Sequence, residues 1–542
     1  METKIGVFIC DCGGSIKNID FSIIKEKVAK ISGVGSVNLS SNLCLDEGKE
    51  KMLSCIKDEN IERVVVAACS PDFKGNSFQR VLENVGISDQ LLSMANIREQ
   101  CSWAHDGDVT EKALELIKMV VNRVQLLQPV EKKELPVNKD VLVVGGGFSA
   151  INSALQFSRV GLRTTLLERE LALGGRTREL EAFCGLETSS TITAVEGDEN
   201  IEVLTSAEMI GVGGAAGDFT VSMKKGGEEI SRNYGAIVLA TGYHTEVARD
   251  FELESGVNIV SQENLRQMLQ ASSLERTPKT VSFMFDSSDE NSRFPTLATL
   301  NDALAAKQKW GSEIYVLCKN VKVDSEGVER LYREAREHGV MFLKFDEKPV
   351  ISVEDGRVKI EMKDVLLGED VTLTCDLLVA EEKLLPAEET EALSALLNIK
   401  TDSRGFYQDE NVHLYPVASE RKGIFFIGGC RGELDPGRIL TDVSSVVMSI
   451  HESLSPGKVV VEVERVKADP QKCVACLTCI RVCPHGAIQL VRIDGGKEVA
   501  EISDLACDAC GVCAAICPAK AIKFEGYSDE QIMIQIEAVG EP

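Results

Sequence analysis

Two runs of cysteine toward the end of the chain have the types and spacing to do chemistry. The first reads Cys473-Val-Ala-Cys476-Leu-Thr-Cys479-Ile-Arg-Val-Cys483-Pro484, the second Cys507-Asp-Ala-Cys510-Gly-Val-Cys513-Ala-Ala-Ile-Cys517-Pro518. Each is C-x2-C-x2-C-x3-C-P, and every cysteine recurs 34 positions on, so the segment is an internal duplication. Three thiolates at that spacing wrap one face of a 4Fe–4S cube, while the fourth cannot fold back onto it and ligates the other cluster. The spacing therefore assigns Cys473, Cys476, Cys479 and Cys517 to one cluster, and Cys507, Cys510, Cys513 and Cys483 to a second. Zinc sites use two C-x2-C pairs separated by a longer loop, not this run with its proline.

Six further cysteines lie in residues 1–127, five of them after predicted strands, and only the elements between can bring those five together. Ile5–Ile9, Val37–Leu43, Arg63–Ala68 and Leu91–Ile97 read as strands; Phe21–Ile31, Gly48–Lys57, Phe78–Val85 and Thr110–Leu127 read as helices. Strands alternating with helices predict a parallel sheet. Its carboxyl ends share one edge, where ligands bind. Cys10 and Cys12 follow the first strand, Cys44 the second, Cys69 the third and Cys101 the fourth. A single cysteine of this kind is ordinarily a small core residue. Five on one rim point to a third cluster, since thiolates select iron–sulfur or zinc. Cys10 is still at the strand end and can pack inward, so the expected ligands are Cys12, Cys44, Cys69 and Cys101. Residues 128–138, with two prolines and four charges, read as a linker.

The next stretch is Lys139-Asp-Val-Leu-Val-Val-Gly145-Gly146-Gly147-Phe148-Ser149-Ala150, followed by a helix to Arg159, a strand Thr164–Leu167 and Glu168. Strand, G-x-G-x-x-A, helix, strand and an acidic residue about twenty positions on form the dinucleotide fingerprint in its required context. Gly145 permits the tight turn. Gly147 lets amides approach a pyrophosphate at the helix N-terminus, which Phe148 and Ser149 open. Ala150 allows close helix–strand packing, and Glu168, with Arg169 beside it, is placed for the adenosine ribose.

The fingerprint does not choose between flavin and nicotinamide. Gly174-Gly175-Arg176, the Ala240-Thr241-Gly242 turn, and Gly423-Ile-Phe-Phe-Ile-Gly428-Gly429-Cys430 resemble the later flavin-contacting segments of disulfide reductase flavoproteins, and so favour FAD. There the family usually has Gly-Asp; Cys430 stands in the aspartate's place. Residues 278–345 read strand, helix, strand, helix, strand where such enzymes carry an NAD(P)H-binding half. The phosphate turn is Phe285-Asp286-Ser287-Ser288-Asp289, without glycine and with acids that repel a pyrophosphate. This half, 278–380, reads as degenerate.

The elements needed to hold these sites exceed one core: 542 residues imply three or four domains. The expected boundaries are 1–127 for the N-terminal domain, 139–455 for the FAD domain, 464–526 for a two-cluster ferredoxin domain and 527–542 for a tail. Formal charge is −26, which disfavours nucleic acid and anionic membrane as partners. Eighteen cysteines with no signal peptide or membrane-spanning apolar run predict a cytoplasmic protein whose thiols ligate metal. With six histidines, imidazole chemistry is not the theme.

Ile5-Gly-Val-Phe-Ile-Cys-Asp-Cys-Gly, Arg63-Val-Val-Val-Ala-Ala-Cys-Ser-Pro, Met94-Ala-Asn-Ile-Arg-Glu-Gln-Cys-Ser-Trp-Ala-His, the flavin motif and Gly526-Tyr-Ser-Asp-Glu-Gln-Ile together resemble the A-type subunits of heterodisulfide reductase over nearly the whole chain. The resemblance implies an α/β multidomain protein: an N-terminal parallel α/β domain, a thioredoxin-reductase-like FAD domain and a C-terminal α+β ferredoxin domain. It implies an oxidoreductase with FAD and three 4Fe–4S clusters, splitting or merging electron pairs between a two-electron donor, ferredoxin and a higher-potential acceptor. Implied partners are B- and C-type subunits, hydrogenase-, formate- or NADH-linked modules, ferredoxin and a second copy of the chain. Two departures stand out. The family's inserted ferredoxin module is replaced by a glycine-rich hairpin between Thr205 and Tyr234. The family's cysteine-containing stretch is Phe283-Met-Phe-Asp-Ser-Ser-Asp here. A stand-alone NAD(P)H- or ferredoxin-linked flavoprotein is the rival reading.

Overall fold

Four short apolar runs, Ile5–Cys10 (β1), Val34–Ser40 (β2), Arg63–Ala68 (β3) and Leu92–Asn96 (β4), form one parallel sheet in the order β2-β1-β3-β4. The computed structural model describes residues 4–176, 188–247, 258–271, 276–285, 294–323, 327–380, 382–432, 435–463 and 465–539. Helices Phe21–Val28 (α1), Asp46–Asp58 (α2), Pro71–Glu83 (α3) and Thr110–Gln125 (α4) cover the sheet. Ile24, Val28, Ile117 and Val121 of α1 and α4 pack against Val7, Ile9 and Val65 on one face. Met52, Ile56, Phe78 and Leu82 of α2 and α3 pack against Phe8, Val64 and Val66 on the other. A sheet covered on both faces needs continuous apolar strands, which β1 and β3 supply.

Two elements begin earlier than periodicity suggests. α3 starts at Pro71, not Phe78, because Ser70 accepts the Asp72 amide and Pro71 occupies the first helical position. Its first turns are polar and show no apolar period. β2 starts at Val34 and ends at Ser40, an edge strand only half buried, so its alternation is weak.

The linker is also structured: Lys132–Pro136 forms β5. The flavin-type region continues with β6 (Val141–Val144), α5 (Phe148–Arg159), β7 (Thr164–Leu167), α6 (Thr188–Glu196) and β8 (Ile201–Leu204). Then comes an antiparallel meander of β9 (Ala207–Ala215), β10 (Asp218–Lys225) and β11 (Glu228–Tyr234). The expected short hairpin is thus three strands, with Phe219, Val221, Met223 and Tyr234 packing on Leu142 and Ile237 beneath. β12 (Ala236–Leu239) and β13 (Tyr243–Val247) follow.

The second half holds β14 (Ile259–Val260), α7 (Gln262–Gln270), β15 (Thr280–Met284), α8 (Phe294–Trp310), β16 (Glu313–Cys318), α9 (Val328–Glu337) and β17 (Val340–Lys344). A second meander of β18 (Val350–Glu354), β19 (Arg357–Lys363) and β20 (Asp370–Cys375) leads to β21 (Leu377–Val379) and β22 (Glu382–Pro386). α10 (Thr390–Leu397), β23 (Ile424–Phe426) and α11 (Pro436–Leu454) return to the first half. Two five-stranded parallel sheets result, β23-β12-β6-β7-β8 and β14-β21-β15-β16-β17. The expected phosphate turn at 286–289 lies outside the described residues.

β24 (Lys458–Glu462) pairs with β5, so both connecting segments are strands. The cysteine duplication follows: β25 (Val466–Ala468), α12 (Thr478–Val482), β26 (Ile488–Arg492), β27 (Glu498–Ile502), α13 (Val512–Ile516) and β28 (Ile522–Phe524). The expected tail is a helix, α14 (Asp529–Glu537), started by a capping box of Ser528 and Gln531. Gln531 donates to the Leu126 carbonyl at 3.0 Å, and Arg123 of α4 donates to the Gly526 carbonyl at 2.9 Å and stacks on Tyr527. The N-terminal domain and the cysteine duplication thus form one compact unit, residues 1–135, 460–483 and 487–542; residues 136–459 with 484–486 form the other.

Candidate functional site

The two half-repeats bring their cysteines together in the crossed sets that the spacing requires. Cys473, Cys476, Cys479 and Cys517 line one cavity. Cys513 lies within electrostatic reach of Cys507, Cys483 and Cys510, which with its burial push its thiol up to about 12. The loops wrap through left-handed residues placed identically in both halves, Ala475 and Ala509, Leu477 and Gly511. That backbone turns amides toward sulfur. Ala500 donates to Cys473 and Ala487 to Cys483, both at 3.4 Å; Ala509 donates to Cys507 at 3.4 Å and Ala521 to Cys517 at 3.3 Å. Amide donors favour sulfur as thiolate, the form that binds iron. The donor sets therefore fit two 4Fe–4S clusters.

At the N-terminal rim the structure is selective. Alternation along β1 puts Cys10 on the α2–α3 face, in one core with Cys69, and Cys12 and Cys44 pack against the same core. The Cys10 sulfur accepts the amides of Cys12 at 3.3 Å and Leu43 at 3.4 Å. The Cys12 thiol bridges Cys10 and Cys69; it is held above the usual thiol range and both neighbours below it. The Arg98 guanidinium also lowers Cys69. Cys101 sits elsewhere. It is buried in the core on the α1–α4 face, with its sulfur 3.8 Å from the Val109 carbonyl. Sequence order put all five cysteines on one rim; in the structure Cys12 packs against both cores, while Cys101, in the turn Arg98–Ser102 beyond β4, lies in the α1–α4 core.

The flavin-type region holds a cavity of about 370 Å³ above the β6–α5 turn. Gly145, Gly147, Phe148, Ser149, Glu168, Arg169, Gly175, Arg176, Thr241, Gly242 and Gly429 all line it. Gly145 has φ +124°, and a Cβ there would lie 2.3 Å from the Ala240 carbonyl. A Cβ on Gly147 would meet no protein atom and would project into the cradle. Glu168 is buried and accepts the Glu170 amide at 2.8 Å; burial raises its carboxyl above the usual range. The Gly174 amide bonds the Gly146 carbonyl at 2.8 Å, folding the Gly174-Gly175-Arg176 loop onto the phosphate turn. Arg176 stacks on Tyr243 at 4.9 Å and donates to Thr245 at 3.2 Å. These residues fit a bound dinucleotide.

Two candidates lie behind the cavity wall. Ala150 is fully buried in the α5–sheet packing. Cys430 is fully buried, its thiol bonded to the Ile427 and Leu239 carbonyls at 3.1 and 3.4 Å, and burial pushes it up to about 12. The wall at that turn is Gly429, where a Cβ would strike the Tyr243 ring at 2.5 Å. Next to it Arg431 pairs with Asp409 at 2.8 Å and with Asp442, pinning the turn to α11. Sequence reading missed Tyr243, Glu208, Met209, Glu389 and Ile439, which also line the cavity. Tyr243 directly follows the Thr241-Gly242 turn and was findable there. Glu389, which pairs with Arg169 at 2.8 Å, carries no local signal.

The Pyridine nucleotide-disulphide oxidoreductase family matches residues 121–276, and the 4Fe-4S dicluster domain matches 465–518. Three curated relatives align over 99% of this chain. An A-type iron-sulfur subunit of the CoB--CoM heterodisulfide reductase of Methanopyrus kandleri is 29% identical, with 98% of its length covered. The corresponding iron-sulfur subunit of Methanocaldococcus jannaschii is 28% identical, with 99% covered. A protein of Archaeoglobus profundus, named as similar to the same A-type subunit, is 25% identical, with 98% covered. Over nearly its whole length the chain is similar to heterodisulfide reductase A-type subunits. It is an oxidoreductase with an FAD-type domain and a 4Fe–4S dicluster domain. Its alignment to the M. kandleri relative spans 657 positions, well beyond its own 542 residues, so long stretches of that relative face gaps here. No helix among the described residues is long and apolar enough to cross a membrane.

Proposed function

We propose that this chain is the FAD and iron–sulfur electron-transfer component of a heterodisulfide-reductase-like complex, dividing electron pairs from a two-electron donor between ferredoxin and a higher-potential acceptor. The observation that carries the reading is the coexistence of one dinucleotide cradle and two crossed four-cysteine sets in a single polypeptide. Flavin, when bound, exchanges two electrons or one, and each cluster exchanges one; that combination converts paired into single-electron flow. The chain's own residues bind and orient. Gly145 and Gly147 keep the phosphate path open, Glu168 holds the ribose, and Arg176 on Tyr243 borders the cavity beside Gly429. Crossed ligation ties each cluster to both half-repeats, which fixes the two clusters relative to each other. The N-terminal rim supplies a third site from Cys12, Cys44 and Cys69, with Cys10 or Cys101 as fourth ligand. Partners are B- and C-type subunits, a hydrogenase-, formate- or NADH-linked module, ferredoxin and a second copy of the chain.

The rival is a self-contained NAD(P)H-dependent flavoprotein, which the five-stranded parallel sheet of the second half keeps in view. The sequence Phe285-Asp286-Ser287-Ser288-Asp289 disfavours it, because a phosphate turn needs close backbone approach and no added negative charge. Anaerobic mixing of the isolated holo-chain with NADH, NADPH and reduced ferredoxin separates the two. Bleaching of the flavin by ferredoxin alone is expected. Bleaching by a nicotinamide at turnover rate would sink the proposal.

A further inference from the structure

The duplication contains its own control. Positions 34 apart share a backbone, so a difference beside the sulfurs isolates what one side chain does. The amide donors repeat, Ala487 to Cys483 at 3.4 Å and Ala521 to Cys517 at 3.3 Å. Cys476 and Cys510, at equivalent positions, are both exposed. The two runs differ at six positions, and two of these differences set a polar group beside a ligand sulfur. Thr478 stands where the second half has Val512, and its Oγ1 lies 3.4 Å from Cys476 Sγ. A ligating thiolate has no proton, so the hydroxyl is the donor of that pair. Val474 stands where the second half has Asp508, which directly follows Cys507 and so sets a carboxylate next to that ligand in the chain.

We infer that Thr478 and Asp508 hold the two C-terminal clusters at different reduction potentials, the Cys473 set higher and the Cys507 set lower. The inference rests on the reading of both sets as 4Fe–4S ligands. Reduction adds one electron to a centre that is already anionic. A hydroxyl donating to a ligand sulfur stabilises that added charge, and a neighbouring carboxylate opposes it. One electron given by a low-potential donor to the Cys507 set therefore passes downhill to the Cys473 set: the first cluster is oxidised and the second reduced. Thr478 and Asp508 act through sulfur and are positioning residues, not ligands.

Redox titration of the anaerobically reconstituted full chain, followed by electron paramagnetic resonance, tests this. Wild type is expected to show two C-terminal waves separated by a population ratio of tenfold or more, about 59 mV for one electron. Thr478→Val should lower only the upper wave, Thr478→Ser should leave it in place, and Val512→Thr and Asp508→Val should each raise only the lower wave. Iron and sulfide are assayed on every variant. Coincident waves in wild type with both clusters intact overturn the inference alone, as does a Thr478→Val wave that does not move. If Thr478→Val loses iron, Thr478→Ser and Val512→Thr decide by the same criterion. Wild-type cysteine sets that bind no iron overturn the ligand reading and the inference with it.

Discussion

Cys517 lines the same cavity as Cys473, although a whole half-repeat separates them in the chain. On the proposed ligand sets this crossed relationship couples the two sites, because neither set reaches four without the other's repeat. Cys517→Ser should abolish the signal of the Cys473 cluster and lower iron by about four per chain, with the Cys507 cluster retained. Cys483→Ser should do the converse. Iron analysis with resonance spectra checks the pair, and loss of the Cys507 cluster in Cys517→Ser with loss of the Cys473 cluster in Cys483→Ser would show that each run ligates a single cluster by itself.

Gly145 and Gly147 should fail in different ways. Gly145→Ala puts a Cβ against the Ala240 carbonyl at a left-handed φ, so it disturbs the β6–β12 packing itself. At Gly147 a Cβ meets no protein atom within 4 Å, so Gly147→Val acts chiefly by filling the cradle. The expected outcome is a lower melting temperature for the first and wild-type apoprotein melting with no bound flavin for the second. Full flavin occupancy in Gly147→Val would mean that the cofactor lies elsewhere.

What sequence could show here follows from how local each signal is. Fixed-spacing motifs, such as the cysteine runs and Gly145-Gly146-Gly147, report backbone geometry within one turn, and the structure gathers both. The N-terminal cysteines are different. Chain order shows that Cys69 and Cys101 both follow strands, but only the turn after β4 decides that Cys69 joins Cys10 and Cys12 while Cys101 enters the opposite core. Arg169 and Glu389 meet only in the folded state. The helix α14 hid behind a tail reading because its docking partner, α4, lies at the other end of the sequence.

Glu168 should show opposite effects with and without flavin. Burial raises its carboxyl pKa in the folded protein, despite the amides of Glu170 and Gly146 that favour the anion. A raised acid contributes stability that is complete below its unfolded pKa and is lost as pH rises through the folded value. The contribution of Glu168 to the flavin-free fold should therefore grow as pH falls toward the usual carboxylate range, and Glu168→Gln should remove that part of the pH dependence. The same variant should weaken flavin binding by about 1–3 kcal/mol, the range for a lost charged hydrogen bond. Differential scanning fluorimetry across pH and flavin titration check the two arms; a Glu168→Gln melting profile that keeps the wild-type pH slope would rule out this group as its origin.

The N-terminal rim offers a choice between two thiols that only an experiment on both can make. Cys12 and Cys69 stand together with Cys10, whose sulfur receives the amides of Cys12 and Leu43, and amide donors are also found at Cys473, Cys483, Cys507 and Cys517. Cys101 is buried with no amide donor among the described residues, and its sulfur lies 3.8 Å from the Val109 carbonyl. Three clusters require about twelve irons per chain. Cys12→Ala and Cys69→Ala should each lower that to about eight, and Cys10→Ala should match them, while Cys101→Ala should keep the iron and lose stability through a core cavity of about 1–2 kcal/mol. Stopped-flow reduction adds the route. Cys476→Ala should keep FAD but slow electron uptake from a ferredoxin-like donor, whereas Cys69→Ala should leave that uptake intact and impair transfer to the partner subunits. If Cys101→Ala loses four irons and Cys10→Ala loses none, the chain must rearrange around the cluster so that Cys101 leaves the α1–α4 core to bind it.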